Sequence, residues 1–320
     1  MEIVEFKAEH AEAAMGILNE NYQAEKKHVP ILPKLHIDAE LMRSMAGNHL
    51  GVAAFEGGRM LGFLACKGPF NAFGIPGVRG VFSPLHGNGA VLEGRGKIYA
   101  RMYQSAAKKW ATAGAASHAV CFFAHDEILR ETFYQYGFGL RTVDAVWDME
   151  GIHVQAQDKN VSFRELRQRE FSLAYPFYQK ISVHLRESPT FFWHPPKGLE
   201  EFLGDAKAQG DRFFVAEVKG IAAACYMISK EGESFISGVS HMLNICGAYC
   251  LSEYRGRNIA GGLLSYVAET LKNEGVSLLG VDYESFNPAA RGFWPKYFTP
   301  YTNGVVRRID ECVMLSLERV

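Results

Sequence analysis

No two of the six cysteines stand in a CxxC pair; Cys66, Cys121, Cys225, Cys246, Cys250 and Cys312 fall mostly inside apolar runs. That pattern reads as buried, reduced thiols rather than a disulfide frame. Excess charge of one sign is also missing. A formal net charge of -1 argues against broad attraction to nucleic acid or an anionic membrane and leaves room only for a local basic site. No apolar run approaches the roughly 20 residues of a spanning helix. The segment Met1–Glu5 carries neither the basic start nor the long apolar stretch of a signal peptide. A reducing cytoplasm is the expectation. No histidine pair has the helix-face spacing of a metal site, so none of His86, His118, His125 and His194 is read as a ligand and no metal is expected.

What remains is an ordinary globular composition, 48% hydrophobic and 22% charged over 320 residues. That length favours two domains, each able to bury its own core.

The chain repeats itself. Slid along itself until Glu93 meets Glu253, it also brings Arg95, Gly96 and Ala100 onto Arg255, Gly256 and Ala260. In the same register, without a gap, Phe133 and Phe138 fall on Phe293 and Phe298. Between these anchors each copy reads as an amphipathic helix, a short apolar strand and a second helix. Two copies of one domain are expected, residues 1–152 and 161–320, joined by the polar stretch 151–160. The fold class is α+β, a mixed central sheet flanked by helices in each copy.

In the second copy, periodicity and turn residues predict a strand at Ser162–Phe163 running into a helix over 166–186. Further elements are a helix near 200–209, strands at 213–217 and 221–228 about the Lys219–Gly220 turn, and a strand at 245–251. A helix over 259–273 ends at Gly275, a strand follows at 278–284, then a helix over 288–297 begun by Pro288. A hairpin is expected over 305–317.

The strand leading through Arg255, Gly256, Arg257, Asn258, Ile259 and Ala260 into a helix is an anion site in the making. The first N–H groups of a helix lack intrahelical acceptors and its dipole favours negative charge there. Gly256, Ala260, Gly261 and Gly262 keep the approach small; Arg255 and Arg257 add charge-assisted contacts. A nucleotide loop of the P-loop or GxGxxG kind does not fit, since its lysine, Ser/Thr and glycine spacing are missing.

These residues resemble the acetyl-CoA motif of the GNAT acyltransferases, Arg/Gln-x-x-Gly-x-Gly/Ala, on the turn between the family's fourth strand and third helix. Downstream, Leu279, Val281 and Asp282, then Asn287, Ala290 and Phe293, resemble its second motif, where an Asn and an aromatic helix lie beside the pantetheine and sulfur. The resemblance spans about 161–317 and is weaker in the first half. It implies a tandem two-domain GNAT fold that uses acetyl-CoA as co-substrate. It assigns coenzyme binding to Cys250, Leu251, Ser252, Arg255, Gly256, Arg257, Asn258, Ile259, Ala260, Gly261 and Asn287. Two residues depart from the pattern. Asn258 replaces the central glycine, and Asn tolerates left-handed backbone better than most residues. Trp294 stands where many members carry the tyrosine that protonates the departing thiolate, and an indole has no proton suited to that task.

By resemblance the ligand lies where two parallel strands splay, with backbone N–H groups near Cys250 facing the thioester oxygen. Attack also needs a base for the amine proton. Glu284 and Asp282 share one face of their strand; Glu284, nearer the splay, is the candidate base, its alternative a solvated or ion-paired strand end. Tyr297, one turn beyond Trp294, is the nearest hydroxyl for the acid, its alternative a core aromatic. Tyr249 lines the cleft or packs. Cys250 reads as an inert thiol rather than a nucleophile. The first helix and the loop 182–196, with Phe191, Phe192, Trp193 and His194, shape the acceptor pocket or seal an interface.

In the first copy Ile98 replaces Asn258, Tyr99 replaces Ile259, and Arg101 and Met102 replace the glycine pair. A β-branched Ile98 hinders a tight anion loop. Pro84–Ala90 reads as an altered ligand loop; Asp126 or Glu127 falls near the position of Asn287, and Tyr134 at that of Trp294. This half is read as a degenerate copy. The functional expectation is acyl transfer from CoA to a small-molecule amine, with a catalytically inactive CoA-binding sensor as the alternative. Neither nucleic acid nor membrane is an expected partner, and the oligomeric state stays open.

Overall fold

The computed structural model describes residues 1–317 except 36, 72–76, 152, 157–159, 195 and 233. The elements of the first half are β1 Glu2–Glu5, α1 Ala11–His28, α2 Ala39–Arg43, β2 Val52–Glu56, β3 Arg59–Leu64, β4 Lys67–Asn71, β5 Arg79–Ser83, β6 Asn88–Ala90, α3 Arg95–Thr112, β7 Ser117–Phe123, α4 Glu127–Gln135 and β8 Gly139–Trp147. Those of the second are β9 Val161–Glu165, α5 Tyr175–Arg186, α6 Leu199–Gln209, β10 Arg212–Val218, β11 Ile221–Ser229, β12 Met242–Cys250, α7 Ile259–Asn273, β13 Leu278–Glu284, α8 Pro288–Phe293, β14 Thr299–Arg308 and α9 Glu311–Leu317.

The duplication is visible element by element. Helices α1 and α5, the latter with its N-cap residue Ala174, bury equivalent positions of the repeat: Ala14, Ile17, Leu18 and Tyr22 against Ala174, Phe177, Tyr178 and Ser182. The caps repeat as well. Asp126 accepts from Leu129 N at the start of α4, and Asn287 accepts from Ala289 N and Ala290 N at the start of α8. Each satisfies helical N–H groups that have no acceptor within the helix.

The compact units do not follow the boundary expected at 152–161. One comprises Met1–Val143 with Pro300–Val320, the other Asp144–Thr299. The reason is strand pairing. β14 runs antiparallel to β7, from Thr302 opposite Phe123 to Arg308 opposite Ser117. Its Val305 is fully buried in the core with Val120, Phe122 and Phe133, a burial worth about 1.5–3 kcal/mol for such a side chain. The end of β8, from Asp144, belongs to the second unit, where Trp147 packs on Tyr297 and Phe298.

Three element predictions need correction. The helix expected over 288–297 ends as α8 at Phe293 and continues as a 3-10 turn, Trp294–Lys296. The hairpin expected over 305–317 is the strand β14 followed by the helix α9, whose start is set by Asp310 accepting from Cys312 N and Val313 N. The helix expected over 166–186 is a 3-10 turn, Gln168–Leu173, followed by α5. The connection read at 151–160 lies largely outside the described residues; Val154 N donates to Ser265 Oγ on α7 at 2.9 Å.

In the second unit β9, β10, β11 and β12 run antiparallel in order, and β13 pairs with β12 in parallel. Phe177, Phe202, Phe213 and Val215 close the core on the α5–α6 side. Among the described residues, no helix is long and apolar enough to cross a membrane. All six thiols are free; Cys66, Cys121 and Cys225 are buried, whereas Cys246 and Cys312 are exposed, so burial holds for only part of the set.

Candidate functional site

The site begins where β12 and β13 part. They pair in parallel from Met242 opposite Leu278 to Ile245 opposite Val281 and no further, although β12 continues to Cys250 and β13 to Glu284. At that point β12 also bulges. Gly247 pairs with Met227 and Ile245 with Ile228, leaving Cys246 as the extra residue. A bulge bends its strand and re-aims the groups beyond it. The two strands form a wedge with one unpaired edge along Cys246–Cys250.

Alternation decides which groups face the wedge. Leu251 N donates to Ala223 O at 2.9 Å, so the N–H groups of Ala248 and Cys250 point to the other, open edge. Burial pushes the Cys250 thiol up, against the opposing charge of Arg255. It stays protonated near neutrality, as an inert thiol would.

The loop after β12 ends in two left-handed residues, Gly256 (φ 76°) and Asn258 (φ 57°). Asn258 thus takes the backbone that the missing glycine would have taken, at the N-cap of α7. The helix ladder starts at Gly262 N, which donates to Asn258 O. Among the described residues no acceptor meets the N–H groups of Gly256, Arg257, Asn258, Ile259, Ala260 and Gly261. A run of unpaired donors at the positive end of a 15-residue helix is a site for an anion.

The two arginines divide the labour. Arg255 donates from Nε to Cys250 O at 3.0 Å and lies over the Tyr249 ring at 5.3 Å. Arg257 lies over Tyr254 at 5.7 Å and is exposed. Ser252 donates to its neighbour Glu253, and the Leu251 N–H is spent in the sheet. Ala260 O accepts from the Tyr226 hydroxyl at 2.9 Å.

The glycine pair at the start of α7 has neighbours that the sequence does not show. A Cβ on Gly261 would meet Val154 Cγ1 at 2.8 Å and Tyr297 Oη at 3.1 Å; one on Gly262 would meet Phe163 Cζ at 2.8 Å. These glycines leave room for the chain's own segment around Val154–Ala156. Only Gly256 opens onto free space.

Glu284 ends β13 on the wedge, half-buried, with Asp282 two residues before it and exposed. Tyr297 packs beside Phe293 and Trp147, its hydroxyl against the first turn of α7, and burial raises its pKa. Trp294 is buried against Tyr226, Phe293 and Phe298. Of the acceptor loop, His194 turns inward to Ser182 Oγ at 2.8 Å, and burial lowers its pKa. Phe191 and Trp193 are exposed, with Arg186 over Trp193; Pro195 lies outside the described residues.

Sequence reasoning missed His184. On the last turn of α5, its Nε2 lies 3.2 Å from Asn287 Oδ1 and its ring lies edge-on to Tyr249. The one available signal was helical spacing: Ile181, three residues earlier, faces Gly247 of β12.

Among the described residues the first unit has no such wedge. The strand corresponding to β12 is broken by the turn at Leu85–Gly87 into β5, parallel to β7, and β6, antiparallel to β3. Asn88 Nδ2 donates across to Cys121 O of β7 at 2.9 Å and its Oδ1 accepts from the Tyr99 hydroxyl at 3.0 Å. Both side chains are buried, so the cleft is filled. Helix α3 starts at Arg95 and leaves only Val91–Gly94 between it and β6. Ile98 therefore sits inside the helix, buried, rather than in an anion loop. Tyr134 is exposed. A cavity of about 600 Å³ opens at the start of α3, with Glu20, Glu93, Arg59 and Lys97 on its walls. Among the described residues no group of three His, Cys, Asp or Glu side chains is placed to hold a metal ion.

The Acetyltransferase (GNAT) family model matches residues 174–298, all within the second unit. No curated protein matches the chain in sequence. Among solved structures, a GCN5-related N-acetyltransferase from Sphaerobacter thermophilus is similar at TM-score 0.60 and 12% identity, over 96% of this chain and 95% of that one. A GCN5-related glucosamine N-acetyltransferase region of a fungal multi-domain GH3 beta-N-acetylglucosaminidase is similar at TM-score 0.54 and 13% identity, over 95% of this chain and 38% of that one. At such identities these neighbours establish the fold. With its matched domain in the second unit and the same order of elements repeated in the first, the chain has a tandem GNAT fold, and its residues 174–298 match the GNAT family.

Proposed function

We propose that the chain is an acyl-CoA-dependent N-acyltransferase that moves an acetyl group from acetyl-CoA to the amine of a small molecule by direct attack in a ternary complex. The observation that carries this reading is the continuity of the wedge with the row of unpaired N–H groups from Gly256 to Gly261. A diphosphate seated on those donors, with Arg257 beside it, directs a pantetheine arm along the open edge of β12. There the N–H groups of Ala248 and Cys250 form a ladder with its amides.

The amine nitrogen attacks the thioester carbon, the N–C bond forms, the C–S bond breaks and the thiolate leaves with CoA. Fixed backbone donors stabilise the oxyanion without reorganising, and the wedge holds the reactants in attack geometry. The exposed Phe191 and Trp193 beside α5 favour a flat or partly apolar acceptor. The free thiols support a reducing, cytoplasmic setting.

The buried Trp294 favours a second reading, a CoA-binding protein without catalysis. The position of the usual phenol is taken by a core indole, so the thiolate has no obvious proton donor beyond Tyr297 and solvent. Thiol release from acetyl-CoA, followed across a panel of primary amines, separates the two. Amine-dependent release with formation of an amide supports transfer; saturable acetyl-CoA binding with no release for any amine supports the sensor.

A further inference from the structure

Asn287 carries more information than its capping role. Its Oδ1 accepts from Ala289 N at 3.2 Å and Ala290 N at 3.4 Å. Those two donors fix which end of the amide is oxygen, an assignment that geometry alone often leaves open. The same oxygen lies 3.2 Å from His184 Nε2. An oxygen only accepts, so Nε2 must carry the hydrogen. The neutral ring is then held as the Nε2–H tautomer, with the lone pair on Nδ1.

The surroundings place that ring beside the wedge. His184 stands on the last turn of α5, which packs on β12 through Ile181 and Gly247. Its ring lies edge-on to Tyr249, on the strand that forms one wall of the wedge, and Arg255 covers the same Tyr249. Arg255, Tyr249, His184 and Asn287 make a continuous line from the anion loop to the start of α8. The first unit gives a control. Its cleft is filled by Asn88, and the repeat places Ala24 at the position equivalent to His184. The copy without a wedge is also the copy without the imidazole.

We propose that His184 takes the proton of the acceptor amine on Nδ1, with Asn287 as the positioning residue that fixes its tautomer. This rests on the N-acyltransferase reading above. As nitrogen attacks and the C–S bond breaks, one N–H proton passes to Nδ1, giving imidazolium; the thiolate leaves with CoA and is protonated by solvent, and the imidazolium returns its proton to water. Glu284, at the end of β13, becomes a wall of the wedge rather than the base.

The test uses the full-length chain labelled with 15N. Imidazole signals are recorded near neutral pH with and without saturating acetyl-CoA, and that of His184 is identified by its loss in His184→Gln. The expected result is the neutral Nε2–H tautomer and a signal that moves when acetyl-CoA binds. An Nδ1–H tautomer, or a signal that stays put while calorimetry shows acetyl-CoA bound, overturns the proposal and leaves the coenzyme reading standing. Failure of acetyl-CoA to bind at all removes both. With the best amine of the panel, His184→Gln is expected to lower kcat by about 100-fold or more, with the KM for acetyl-CoA changed less than about threefold. It should also flatten the ascending limb of the pH profile, while Glu284→Gln keeps that limb. The reverse pattern, or acetyl-CoA binding with no amine turned over, overturns the assignment.

Discussion

Arg95 and Arg255, equivalent residues of the two copies, make the same hydrogen bond: each guanidinium donates to the carbonyl five residues before it, Ala90 O at 2.6 Å and Cys250 O at 3.0 Å. The repeat first noticed as a string of letters is therefore a repeated way of finishing a strand. The copies part company beyond it. Arg95 is buried and pairs with Asp126; Arg255 is exposed and lies over Tyr249.

That difference predicts opposite consequences for one substitution. Arg95→Ala leaves the partly buried Asp126 without its cation and should cost about 3 kcal/mol. Arg255→Ala should cost less than about 1 kcal/mol yet weaken acetyl-CoA binding, because the turn after Cys250 loses its tie. Urea unfolding together with a coenzyme titration checks both. Equal losses of stability would contradict the assignment.

Gly261 and Val154 offer a double-mutant cycle. Gly261→Ala places a methyl 2.8 Å from Val154 Cγ1 and should destabilise by about 1–3 kcal/mol through overpacking. Val154→Ala should recover much of that loss in the double variant. No coupling between the two would restore the idea that this glycine serves the diphosphate.

Residues 300–320 should matter to the first unit rather than the second. Deleting them removes the partner of β7 and the buried Val305. Hydrogen exchange is expected to accelerate across β7 and α3 while the α7 amides keep their protection. Loss of protection confined to the second unit would sink the assignment of β14.

His118 gives the first unit a pH dependence. It is buried, meets the Tyr103 hydroxyl at 3.0 Å, and burial lowers its pKa to about 4 from 6.5. The unfolded chain protonates this ring below pH 6.5 and the folded chain resists until about 4. The stability it contributes is thus complete above 6.5 and lost as pH falls through that window, by roughly 3 kcal/mol. Denaturant midpoints measured between those limits should fall in the wild type and fall less steeply in His118→Gln.

Local pattern carried the elements of the second unit well: α7 and β13 begin and end where the periodicity and Gly275 place them. The anion loop was legible because its chemistry is contiguous, from Arg255 to Ala260. What was illegible is non-local. Nothing in Thr302–Arg308 says that it pairs with Ser117–Phe123, far earlier along the chain. Gly261 and Gly262 looked like coenzyme glycines because a sequence does not show Val154 and Phe163 lying across them. His184 and Asn287 meet only after folding, so neither residue's neighbours in sequence reveal the pair.

The proposed coenzyme site is single and lies in the wedge and loop of the second unit. Calorimetric titration of the full chain with acetyl-CoA, beside Arg257→Glu, tests it most directly. One saturable site per chain is expected, weakened at least about tenfold when the loop charge is reversed. Two sites, or one site indifferent to Arg257→Glu, would place the coenzyme elsewhere and contradict it.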